Sequence, residues 1–182
     1  MLNFKNWLIS EQTNLNSYIK GGKVTLYHYI STGKGSDTMV LDPEKFGEHG
    51  YSKREMRASS IKRLFFYVDL ADRENFFNDY NALYSVVVPA MYVYDLNADS
   101  KGYIEEERAK NNGALNIDNL LNRIIKEGYK GVFYESGGID IVSWFEPIKV
   151  NKIAHEDALK NFGYEDVAKA REEKRIKSLA SV

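Results

Sequence analysis

The sequence predicts an α+β fold, a β core with helices at both ends, and three observations lead there. Short apolar runs rich in β-branched and aromatic residues, among them VTLYHYI, LFFYV and YSVVVPA, read as strands. They are interleaved with helical patterns in the order helix, strand, loop, strand, helix, strand, excursion, helix, strand pair, helix, which does not sustain a parallel βαβ series. The chain has 182 residues, 43% of them hydrophobic and 13% aromatic, enough for one substantial core and short for two.

Taken in order, Phe4, Trp7, Leu8, Leu15 and Tyr18 recur at spacings of one helical face and predict an amphipathic helix over 3–20, ended by Gly21 and Gly22. Residues 24–30 alternate and predict a strand that carries His28. Ser31 to Lys62 is polar and punctuated by Gly33, Gly35, Pro43, Gly47 and Gly50, so it reads as loop with a short helix near 53–58. A second strand, 64–68, precedes a helix from Arg73 to Asn81. The continuous run at 84–90 predicts a strand buried on both faces, ending at Pro89. Residues 95–113 form a polar surface excursion with a helical piece. Ile117, Leu120, Leu121, Ile124 and Ile125 then mark a helix stopped by Gly128. GVFYES and IDIVSWFEP read as a hairpin about Ser136, Gly137 and Gly138, with 149–153 extending its edge. From His155 onward the tail is charged and helical, with Leu159, Phe162, Val167, Ala170 and Ile176 as its inner stripe. Three parts result: an N-terminal helix over 1–22, a domain over 23–153 and a helical tail over 154–182.

Composition narrows the function classes. Net charge is −1, with 25 basic and 26 acidic residues intermixed, so nothing global points to nucleic acid or an anionic membrane. The absence of Cys excludes disulfides, thiolate catalysis and Cys-based zinc sites, and fits a reducing cytoplasm. The remaining His, Asp and Glu show no clustered ligand spacing, so no metal is expected. No apolar stretch approaches the roughly 20 residues of a spanning helix, so no membrane partner is expected either. The start of the chain does not read as a secretory signal.

Four segments carry a resemblance: LYHYIS; RLFFYVDL with the following NFFNDYNALY; YSVVVPAMYVYDLNAD; and GYKGVFYESGGIDIVSWFEPIKV. In this order they resemble the ADP-ribosyltransferases of the His-Tyr-acid class, in particular small phage-encoded forms and those inside phage polyvalent proteins. The resemblance spans roughly residues 24–153. It implies a split, strongly twisted two-sheet core with an NAD cleft between the sheets. It also implies NAD as co-substrate, a protein acceptor, and modification of host proteins in the host cytoplasm.

The chemistry explains the residue types. Cleaving the nicotinamide–ribose bond builds positive charge on the sugar, which a carboxylate stabilises. By resemblance Asp140 supplies that carboxylate, His28 and Ser31 hold the dinucleotide, and Tyr80 stacks on nicotinamide with Tyr67 close by. The chain departs from the pattern where Phe65 aligns with the usual second-strand Tyr. Asp140 stands one residue further from Pro147 than the pattern has it, so Glu135 and Glu146 remain alternative acids. His49, in the loop GEHGYSKREMR, reads as a solvated loop residue. These departures keep open a catalytically inactive relative that binds NAD or a protein partner. The opening MLNFKNWLISEQ also resembles the capsid-targeting leaders of internal head proteins of large tailed phages, where cleavage after the Ile9 to Glu11 motif would imply packaging in the virion head. Acceptor atom and oligomeric state are not readable from the sequence.

Overall fold

A computed structural model describes residues 13–30, 36–45, 59–69, 82–136, 138–154 and 157. The expected helices near 53–58 and over 73–81, and the helical tail, lie outside the described residues. Within them the protein is α+β: two α-helices and one eight-stranded sheet.

Of the helix expected over 3–20, residues 3–12 lie outside the described residues, and the described end is a 3-10 turn, Leu15–Tyr18, instead of α-helix. The Asn14 side chain caps it by accepting the Asn16 N–H, and Ile19 is already extended. Asn14, Asn16 and Ser17 are residues whose side chains compete with helical backbone bonding. Gly21 and Gly22, at φ +58° and +74°, reverse the chain into β1, Lys23–Ile30. The expected loop contains a strand the sequence did not announce, β2, Thr38–Leu41. β3 is Leu64–Tyr67 and β4 is Ala82–Pro89. The first half of β4 is buried, but Val87 is 56% exposed, so the expected burial of both faces fails toward Pro89.

β5, Val93–Asp95, opens the excursion, and α1, Tyr103–Lys110, is its helical piece. α2, Ile117–Lys126, starts on the Asn116 side-chain cap and buries Leu120, Leu121 and Ile124. Each of those three side chains contributes about 1.5–3 kcal/mol by leaving water. β6, Gly131–Glu135, and β7, Asp140–Trp144, form the expected hairpin. Gly131 is required: a Cβ there would lie 2.9 Å from the Ser143 carbonyl oxygen and from the Trp144 ring. β8, Ile148–Ile153, does not extend that hairpin. It crosses to the far half of the sheet and pairs with β4 and β2, where it meets backbone groups the hairpin cannot offer.

The strand order is β2-β8-β4-β1-β3-β7-β6-β5, and β5 with β6 is parallel while every other pair is antiparallel. The sheet has a seam. β1 and β4 are joined through eight residue pairs and β1 and β3 through one, Tyr27↔Tyr67, so the pairing is thinnest there within a single sheet, where the resemblance implies two. One core cluster covers one face of the sheet on both sides of the seam, from Leu41 and Val150 through Leu26, Phe66 and Tyr84 to Val142 and Phe133. On the other face α1 and α2 cover Val132 and Tyr94, and Tyr27, Leu83, Tyr29, Tyr67 and Ile153 form a smaller cluster.

Candidate functional site

β3 lies between β1 and β7, so the topology brings the His-bearing first strand, the aromatic second strand and the strand opened by Asp140 side by side. Successive strand side chains point to opposite faces. Leu26 and His28 of β1, Phe66 of β3 and the following Val68, and Asp140 and Val142 of β7 therefore share the face of the main core. Two strand spacings and one two-residue step separate His28 from Asp140, about 12 Å between Cα atoms.

His28 is fully buried, its ring 5.3 Å from that of Phe66. Its Nδ1 lies 2.8 Å from the Phe65 carbonyl oxygen. A carbonyl can only accept, so Nδ1 carries a proton and donates it.

Asp140 is half-buried at the first position of β7. The Thr13 hydroxyl donates to its Oδ1 at 2.6 Å and the Tyr18 hydroxyl to its Oδ2 at 2.5 Å. The Tyr18 ring packs against Phe133, with centroids 6.0 Å apart, while Leu15 is buried in the main core. A second polar network pins this segment. The Asp95 carboxylate accepts from the Leu15, Asn97 and Ala98 N–H groups, at 2.8, 2.9 and 3.0 Å. The Asn97 side chain donates to the Thr13 carbonyl at 2.8 Å and accepts from the Glu135 N–H at 3.3 Å. Residues 13–18 are thereby fastened across the β5-β6-β7 end of the sheet, over Asp140.

No protein-family model matches this chain, and no curated protein or solved structure matches it either.

The three acids separate cleanly. Glu146 is exposed at the other end of β7 and pairs with Lys130 at 2.8 Å, which raises the lysine above its usual range. Glu135 faces Asp140 in register, but its carboxylate accepts the Gly138 N–H at 3.1 Å and so braces the hairpin turn. Asp140 is held by side-chain hydroxyls from a distant segment, on the face that carries His28. Tyr67 is not brought to that face. Strand alternation turns it, with Phe65, to the opposite side, where its ring lies 6.0 Å from Tyr29. The Arg63 guanidinium covers the Phe65 ring at 5.2 Å. The second-strand aromatic that shares the His28 face is Phe66. Ser31, Tyr80 and His49 lie outside the described residues.

Sequence reasoning missed Thr13, Tyr18, Asp95 and Asn97. Tyr18 was visible only as part of an apolar stripe, and its contact with Asp140 spans 122 residues of chain. Among the described residues no group of three or more His, Asp or Glu is placed to hold a metal ion, and no helix is long and apolar enough to cross a membrane.

Proposed function

We propose that this chain transfers ADP-ribose from NAD to a protein acceptor and releases nicotinamide. One observation carries the reading: His28 and Asp140, named by the resemblance from opposite ends of the sequence, project from the same face of strands separated only by β3. The residues suit the co-substrate. Asp140 is held by neutral hydroxyls, which orient a carboxylate without cancelling its charge, and that charge stabilises the positive sugar as the C–N bond breaks. Nicotinamide leaves neutral with the bonding electron pair, and the acceptor nucleophile forms the new bond to the sugar carbon and gives up its proton. His28, with Nδ1 donating to the Phe65 carbonyl, is fixed in orientation on the face that carries Asp140.

The complete burial of His28 favours a second reading, a catalytically inactive relative that binds NAD or a protein partner, or an internal virion protein. Incubating the purified chain with labelled NAD and a bacterial lysate separates them. Label transferred by wild type and lost in Asp140→Ala supports the transferase. Calorimetric NAD binding with neither transfer nor nicotinamide release supports the inactive relative, and no binding at all removes NAD from the account.

A further inference from the structure

We infer that Thr13 and Tyr18 are positioning residues for Asp140, a two-hydroxyl clamp through which the N-terminal segment becomes part of the NAD site. This rests on the transferase reading and adds residues that the resemblance does not name.

The clamp takes one acceptor position on each carboxylate oxygen: Thr13 on Oδ1 and Tyr18 on Oδ2. An ionised carboxylate has about four such positions, so others remain for a ribose hydroxyl. With both oxygens engaged, the carboxylate plane is fixed before substrate arrives, and electrostatic stabilisation needs such preorganisation. The donor chemistry is specific. A Lys or Arg in the same place would hold Asp140 as firmly but neutralise it, whereas two hydroxyls leave the full negative charge facing the sugar.

The clamp is itself held from behind. Leu15 is 4% exposed in the core, its N–H is bound by Asp95, and Asn97 ties the Thr13 carbonyl to the β6 backbone at Glu135. Neither hydroxyl is placed by Asp140 alone. Asp95 and Asn97 at the end of β5 hold the Thr13 end, Phe133 packs on the Tyr18 ring, and the two hydroxyls set the carboxylate. A short Asp in the role of a longer acid gains from such support, because its reach cannot be adjusted by an extra methylene.

The test compares wild type, Tyr18→Phe, Thr13→Val and Thr13→Ser for nicotinamide release from NAD in the presence of lysate, with thermal midpoints measured alongside. Tyr18→Phe keeps the ring on Phe133 and removes only the hydroxyl. We expect kcat to fall about tenfold in Tyr18→Phe and in Thr13→Val, within the scale of a catalytic group misplaced by about 1 Å. The KM for NAD should stay within about twofold, and Thr13→Ser should recover most of the Thr13→Val loss. A purely structural role would lower the thermal midpoint without this split and without rescue by serine, which overturns the inference. Unchanged or increased kcat in Tyr18→Phe also overturns it, and in the latter case shows the segment to be an obstruction. Those outcomes leave an active wild type and the transferase reading intact. A wild type that neither binds NAD nor releases nicotinamide removes that reading and this one together.

Discussion

Two aspartates at the same end of the molecule hold very different company. Asp99, just before α1, accepts from the N–H groups of Tyr103 and Ile104, both at 3.0 Å, and from the Tyr94 hydroxyl at 2.5 Å. Two of its partners are first-turn amides that α1 itself cannot satisfy, since Gly102 at the N-cap has no side chain to offer. Asp99 is thus fully employed by the fold. Asp140 binds no backbone amide among its described partners, only the side-chain hydroxyls of Thr13 and Tyr18. Asp99 caps α1, whereas Asp140 is tied to the N-terminal segment by side chains.

The sharpest way to break this contrast is Asp140→Ala. It should reduce ADP-ribose transfer about 100- to 1000-fold, as loss of a preorganised charge does, while the thermal midpoint moves only a few degrees. Loss of folding instead would put Asp140 in the same class as Asp99. His28→Ala tests the residue that sits between the two classes. Emptying a fully buried ring position and orphaning the Phe65 carbonyl should cost about 2–4 kcal/mol in urea unfolding. An inactive His28→Ala therefore argues for a ligand contact only if the folded fraction is measured alongside. Asp99→Ala should cost about 2 kcal/mol, with transfer per folded molecule unchanged.

The smallest effect is one of pH. Burial first, and the Asp99 hydrogen bond second, raise the Tyr94 hydroxyl above its ordinary 10.0. The unfolded chain then loses this proton before the folded one does. Its stabilisation is complete below pH 10 and declines as pH rises through the folded value. Tyr94→Phe should flatten that alkaline decline in unfolding midpoints measured from pH 8 to 12.

What could be read from the sequence followed local periodicity. The α2 stripe, the β1 and β3 runs and the β6–β7 hairpin all stand where spacing and turn residues put them. β2 and β5 escaped notice because they are edge strands of four and three residues, defined by a partner rather than by pattern. β8 was assigned to the wrong edge because its partners lie far away in the chain. At the candidate site, the shared face of His28 and Asp140 depends on strand order, which no local pattern encodes. The opposite orientation of Tyr67 was in principle legible, since parity along LFFY sets Phe66 against Phe65 and Tyr67. Nothing near Thr13 or Tyr18 announces a carboxylate more than a hundred residues away.

The seam between β1 and β3 has a mechanical consequence. Where two neighbouring strands would ordinarily be zipped by repeated main-chain bonds, this pair has a single residue pairing and one imidazole reaching across to the Phe65 carbonyl. The joint is held largely by side chains: the imidazole, the Tyr29 and Tyr67 rings 6.0 Å apart, and the core cluster that runs beneath both strands. Losing the imidazole therefore removes a cross-strand tie along with a buried ring.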